Sequence, residues 1–502
     1  MVESIDYNAN GQRTAVRYGN GTVTDYSYED STLRLLAITT TGPGPDTSAT
    51  EGPSRVLQDI RYTYDPVGTV TRIENHSFEA AFCYGQPANP LSEYTYDALY
   101  RLVRSTGRRA PSTSPPPQDE FMLSCPPRPE ARRVLEDYAQ VFGYDDSGNL
   151  IHVGEEGPVR STSRLDVAPD SNRLACEPYD ANGNPLAWQG LRRLEWGSAD
   201  TLLHTELPDG RGESSFLYDH GRARVAKLER RAGVDGGQLD TRETVYVGDY
   251  RSTRATSGPA TTEQQTVSVT DDGTCVCLVG YEPDEDHWSY RYQLHDAQGS
   301  VAWEVDALGQ PLNYQEYLAY GAGAFITADE RAQAEDKEFG YSGKEFDTRS
   351  GLSYFGERYY SASRGRWLSP DPLGSPGGLN LYAFVEGNPV SKIDTTGEMG
   401  VWLSSVIGAV VTLGTGYAAG STLGHAMGVG SGFLMGTLAG AVGATAGGVL
   451  AGAGVPAIFT TAASTALMSA AGSLVGHFTG QLSMRRAAAA GWSPLAVSAI
   501  GG

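Results

Sequence analysis

Over the first 320 residues, apolar and polar positions alternate in short runs, and turns of one kind separate the runs. An aromatic residue, usually tyrosine, is followed by Asp or Asn, then by turn-forming residues and a glycine: YNANG at 7–11, YDPVG at 64–68, YDDSG at 144–148 and YDANG at 179–183. Looser copies begin at Tyr28, Tyr96, Tyr218 and His295. A period of two predicts strands, and an Asx…Gly turn that tolerates positive φ predicts the tight connection of a hairpin, with a second strand such as TVTRI at 69–73. A hairpin cannot bury a face alone, so repeated hairpins must stack into a continuous sheet. The chain is therefore expected to be mostly β, with the Tyr-Asp pairs as scaffold residues.

Three stretches interrupt this rhythm and read as excursions: the Pro/Ser-rich segments from Thr41 and from Ala110, and residues 251–286 with their Thr/Ser tract and acidic EPDED run. Residues 294–320 supply the last hairpins, and the charged, Ala-rich segment from Asp329 to Lys337 is expected to be a short helix. From Tyr354 to Met399 aromatic and polar residues alternate between dense turn signals (PDPLG, GG and GNP), which predicts short strands and tight turns. Asp371 and Asp394 each occupy such a turn, with Arg358, Arg364 and Arg366 near in sequence. Read from the residues alone, both aspartates are turn formers whose side chains cap backbone N–H groups.

After Met399 the pattern changes. Glycines recur every fourth residue at 416, 420, 424, 428, 432, 436 and 440, and again at 448 and 452. That is the small-xxx-small spacing by which apolar helices pack in lipid. In water so many glycines would each cost a helix about 1 kcal/mol, whereas in a bilayer a helix satisfies its own backbone. Val401 to Leu482 is read as two to four membrane-active helices. The competing reading is a low-complexity tail without fixed structure.

Charge sharpens the boundary. Of 38 basic and 60 acidic side chains, only Arg485 and Arg486 follow Met399, so the first 398 residues carry 36 basic and all 60 acidic groups, a net of −24. Such a surface argues against nucleic acid as a partner and suits a soluble wall or the enclosure of neutral or basic cargo. Because no Asp, Glu, Cys or Lys follows Met399, an enzymatic C-terminal region is disfavoured. The five cysteines (83, 125, 176, 275 and 277) are odd in number and contain no Cys-x-x-Cys, so they read as free thiols, and neither metal nor cofactor is expected. The opening MVESIDYNANGQ lacks a basic start and an apolar run, so no signal peptide is read there.

The repeats resemble YD (RHS) repeats. The run GERYYSASRGRWLSPDPLG at 356–374, followed by LNLYAFVEGNPVSKIDTTGE at 379–398, resembles the RHS-repeat-associated core signature, and in detail the C component of bacterial insecticidal toxin complexes. The resemblance implies that the hairpins spiral into a hollow β-shell, or cocoon, closed by a core with self-cleaving aspartyl protease activity. The matching positions are Arg358, Asp371 and Asp394, separated by 13 and 23 residues. Two carboxylates in one site would share a proton, one activating water, while the guanidinium steadies the developing oxyanion. By the same resemblance the cut falls between Glu398 and Met399. Here the chain departs from the family, which usually has Leu before the cut and often Pro after the second Asp, where this sequence has Glu398 and Thr395.

The implied organisation is a YD/RHS-repeat shell over 1–320, an RHS-repeat-associated core over 321–398 and an apolar, Gly/Ala-rich helical cargo region over 399–502. The opening starts in mid-repeat, as the later part of a longer B-C fusion would. The function expected is a toxin-complex-like shell protein that encloses and releases its own C-terminal effector region, with a membrane-active role for that region. Its expected partners are a B-type shell component, an A-type translocation component, and a host membrane or host-cell target, in a secreted or cell-surface setting. The alternative is a non-catalytic surface RHS/YD binding protein with a membrane-anchoring tail. A contact-dependent competition effector shares the shell and the cleavage but differs in delivery.

Overall fold

The computed structural model describes residues 2–44, 55–83, 86–111, 135–156, 162–232, 239–271, 273–328, 337–374, 378–398 and 400–402. Among them are strands, turns and two short 3-10 turns, and no α-helix. The mostly-β fold class is the one read from the repeats. Among the described residues no helix is long and apolar enough to cross a membrane; the glycine-spaced segment beyond residue 402 lies outside them, as does the helix expected over 329–337 except for Lys337, which is not helical.

The chain divides into two compact units. One contains Met1–Leu194, Thr266–Asp371 and Gly377–Gly408, and its first part is an 11-stranded sheet running from Val2–Tyr7 to Thr162–Arg164. Strand order in that sheet is chain order, and neighbours pair antiparallel, as a stack of hairpins requires. A two-stranded excursion, Ala81–Cys83 with Gln86–Ala88, is inserted between Val70–Asn75 and Leu91–Tyr96, which pair with each other. Farther along the same unit, strands from Thr274–Glu282 to Gly323–Ala328 again pair antiparallel in sequence order.

The repeat motif has a distinct task for each residue. In the turn at 64–68, Asp65 Oδ1 accepts hydrogen bonds from the N–H groups of Gly68 and Thr69, both at 2.8 Å, and Gly68 takes φ +104°. Asp97, Asp145, Asp296 and Asp306 hold their turns in the same way. The tyrosine looks backward. Its hydroxyl donates to a carbonyl of the preceding hairpin: Tyr28 to Arg13, Tyr64 to Leu35, Tyr96 to Val70, Tyr144 to Leu102 and Tyr317 to Val301, at 2.6–3.0 Å. The aspartate thus closes its own turn, and the tyrosine ties that turn to its predecessor. Each such bond is worth about 1 kcal/mol net, so the order of the stack rests on many small, repeated terms.

The other unit, described over 195–232, 239–265 and 372–374, uses the same devices. Its strands from Leu202–Glu206 to Tyr250–Ser257 pair antiparallel in order, Tyr218 donates to Leu202 O at 2.9 Å, and Asp219 accepts from Ala223 N–H at 2.8 Å. Residues 251–286, read above as an excursion, are regular instead: Tyr250–Ser257, Ala260–Asp271 and Thr274–Glu282 are long strands. Their Thr/Val content is a strand signal, and their polar residues occupy both exposed strand positions, such as Thr261 and Thr262, and buried ones, such as Ser252, Thr253 and Thr266.

In the first unit, residues 341–371 and 378–398 fold against the 11-stranded sheet. Four short strands, Glu345–Asp347, Leu352–Tyr354, Tyr359–Ser361 and Arg366–Trp367, form a small sheet of their own. Phe355, Tyr360, Trp367 and Phe384 pack ring on ring, with centroids 4.1–5.9 Å apart, on Leu35, Ile38, Leu102, Phe142 and Tyr320. Polar contacts lock the register: Val70 N–H donates to Ser391 Oγ at 2.9 Å, Tyr341 hydroxyl to Pro389 O at 3.2 Å and Tyr360 hydroxyl to Tyr320 O at 2.8 Å. The buried rings dominate the energy, since deleting one Phe or Trp ring from such a cluster costs about 3–5 kcal/mol.

Candidate active site

Three separate turns of the small core bring the site together. Arg358 lies in the connection between Leu352–Tyr354 and Tyr359–Ser361, closed by a hydrogen bond from Phe355 N–H to Arg358 O at 3.0 Å. Asp371 follows the Arg366–Trp367 strand, and its N–H donates to Leu381 O at 2.9 Å. Asp394 ends the strand Lys392–Asp394, which pairs antiparallel with Gly400–Trp402. The residues between those two strands are the segment expected to be cut.

Arg358 is the hub. Its side chain is 3% exposed and lies over the Trp367 ring, 4.3 Å from the centroid. One guanidinium nitrogen, Nη2, is 3.0 Å from Asp371 Oδ2, 3.7 Å from Asp394 Oδ2 and 3.2 Å from the carbonyl oxygen of Glu398. Nε donates to Gly397 O, and Nη1 donates to Leu381 O at 3.3 Å. Both carboxylates are buried, with side-chain exposures of 8% for Asp371 and 1% for Asp394. Burial lowers the pKa of Arg358, while Asp371, Asp394 and Glu398 pull it back up. A guanidinium remains a cation under such pressure, so it is the fixed positive charge of the site.

The segment after Asp394 is threaded into this arrangement. Asp394 Oδ1 accepts from Thr396 N–H at 3.1 Å and Gly397 N–H at 2.8 Å. Thr396 O accepts from Glu357 N–H at 3.1 Å, and Thr395 O from Lys344 Nζ at 2.6 Å. Gly397 takes φ +84°, and a Cβ there would stand 3.1 Å from Arg358 N and 3.2 Å from Phe355 Cβ, so the close approach of the two backbones needs glycine.

Of the residues singled out in the sequence, Arg358, Asp371, Asp394 and Glu398 converge, and Met399 lies outside the described residues. Arg364 and Arg366 serve elsewhere: Arg364 bonds Gln189 and Glu177, and Arg366 donates to Asn172 O. Trp367 and Lys344 were not picked out as site residues. Trp367 is the Trp of the Arg-Trp segment and so was visible in sequence, whereas nothing local marks Lys344, whose partner is 51 residues away. Chemically, a paired carboxylate beside a carbonyl that a buried cation polarises is suited to adding water to that carbonyl.

No family model matches the chain. Toxin subunit YenC1 of Yersinia entomophaga is 33% identical over 423 residues, which are 79% of this chain and 42% of YenC1. In the crystal structure of TcdB2-TccC3, the match has a TM-score of 0.70 at 31% identity and covers 79% of this chain and 20% of the other. The chain is a toxin-complex C-component-like RHS protein. This C-component-like chain spans less than half the length of the Yersinia subunits it matches. Toxin protein Tse5 of Pseudomonas aeruginosa is 27% identical over 378 residues, 67% of this chain and 26% of Tse5.

Proposed function

We propose that this chain cuts its own backbone between Glu398 and Met399 and thereby frees the region from residue 399 as an effector. The observation that carries the reading is the Arg358 Nη2 atom, which faces both carboxylates and the Glu398 carbonyl at once. The two aspartates share one proton. The ionised one takes a proton from water as the water oxygen adds to the Glu398 carbonyl carbon, and Arg358 stabilises the oxyanion that forms. The acid form then protonates the Met399 nitrogen as the C–N bond breaks, leaving an α-carboxylate on Glu398 and an amine on Met399. Departure of the family's usual Leu before the cut changes the side chain, but the backbone carbonyl that Arg358 polarises is common to any residue at that position.

On this reading, residues 1–320 are shell wall, 321–398 the cleaving core and 399–502 the cargo. The cargo is membrane-active, which its glycine spacing supports. The similarity to a TcdB2-TccC3 assembly and to a Tc holotoxin pore supports a B-type shell partner and, through it, an A-type translocation partner, and a secreted setting is part of the same proposal. The test is intact mass of the purified chain beside Asp371→Asn. The wild type is expected as two pieces meeting after Glu398 and the variant as one, with a cleavage rate lower by roughly 10³-fold or more. An uncut wild type overturns the reading.

A further inference from the structure

Every peptide group on the amino side of the expected cut is held by the core. Thr395 O, Thr396 N–H and O, Gly397 N–H and O, and Glu398 O make six hydrogen bonds, to Lys344, Glu357, Asp394 and Arg358. All four partners precede the cut in the chain. On the other side, Gly400–Trp402 pairs with Lys392–Asp394 and lies near Val385–Gly387.

We propose that the site keeps its own amino-side product: after one cut, the new α-carboxylate of Glu398 remains on Arg358, so the site acts once, in cis, and stays closed to other chains. This rests on the self-cleavage reading and states how that activity ends. None of the six bonds needs the atoms that leave. The carbonyl oxygen 3.2 Å from Arg358 Nη2 becomes half of a carboxylate, and a charge-assisted bond to guanidinium is roughly twice as strong as the neutral one it replaces. Glu398 is 4% exposed, so an incoming peptide has to displace a buried segment. The segment is also tethered to its site, and a short tether gives an effective concentration of about a millimolar or more, which a free peptide must match. A competitor further needs glycine at the second residue before its cut, because a Cβ at 397 runs into the Arg358 backbone.

The experiment uses the full chain, followed by mass until cutting is complete. The cut chain is then treated under native conditions with a carboxypeptidase, beside the same material unfolded in urea, and in parallel with a synthetic peptide of residues 391–405 as a substrate in trans. The expected result is that the terminus at Glu398 survives roughly 100-fold longer in the native chain than in the unfolded one, and that the peptide stays whole. Trimming at the unfolded rate, or cutting of the peptide, overturns the inference while leaving self-cleavage standing. A chain that never cuts overturns self-cleavage and the inference with it.

Discussion

The turn at Asp65–Gly68 and the turn at Asp394–Gly397 are built alike and used differently. In both, an aspartate Oδ1 accepts N–H groups from the residues that follow it, and a glycine takes a positive φ, +104° in one and +84° in the other. In the repeat, the second carboxylate oxygen is spent on the Thr69 hydroxyl within the same turn. There burial pushes the Asp65 pKa up, but the hydrogen bonds from Thr69 and Gly68 outweigh it, and the group is held below the usual carboxylate value. In the core, the second oxygen faces Arg358, whose guanidinium also binds Asp371 and the Glu398 carbonyl. One local device thus closes a repeat hairpin or, on the proposed reading, arms a peptide bond, and the difference is made by what lies across from it.

The comparison can be stressed first at its cation. Arg358→Met removes the charge facing two buried carboxylates and leaves three carbonyls without their donor. The expected loss is about 3–5 kcal/mol of stability together with all cleavage, read by denaturant unfolding and by mass. Retention of wild-type stability would mean that the carboxylates do not depend on Arg358. A smaller effect is expected in the wall. Tyr64→Phe deletes one hydroxyl bond to Leu35 O and should cost about 1 kcal/mol in the same unfolding measurement, with cleavage unchanged. Slowed cleavage in that variant would show that wall and core are coupled more tightly than the contacts described here require.

How far each region could be read from sequence follows from the same contrast. Asp65 acts on residues three and four positions away, so a five-residue window holds the whole reason for the turn. The backward bond of Tyr64, to a carbonyl 29 residues earlier, is invisible in that window, though its regular recurrence betrays a scaffold role. In the core, Asp394 forms its turn through Oδ1 and faces Arg358 through Oδ2, so being a turn former does not prevent it from taking the site role proposed for it. Spacing could not tell which of Arg358, Arg364 and Arg366 faces the carboxylates; the resemblance selected Arg358, and the small sheet places it there. Polar composition misled at 251–286, where strands carry Thr and Ser at exposed positions and at buried ones alike.

The central claim is that the chemistry belongs to the core aspartate and not to the turn it shares with the repeats. Asn keeps an oxygen that can cap either turn but removes the acid, so intact mass of Asp394→Asn beside Asp65→Asn isolates the chemistry from the fold. The account predicts that Asp65→Asn is cut after Glu398 like the wild type, while Asp394→Asn stays whole. Cleavage of Asp394→Asn at the wild-type rate would contradict it.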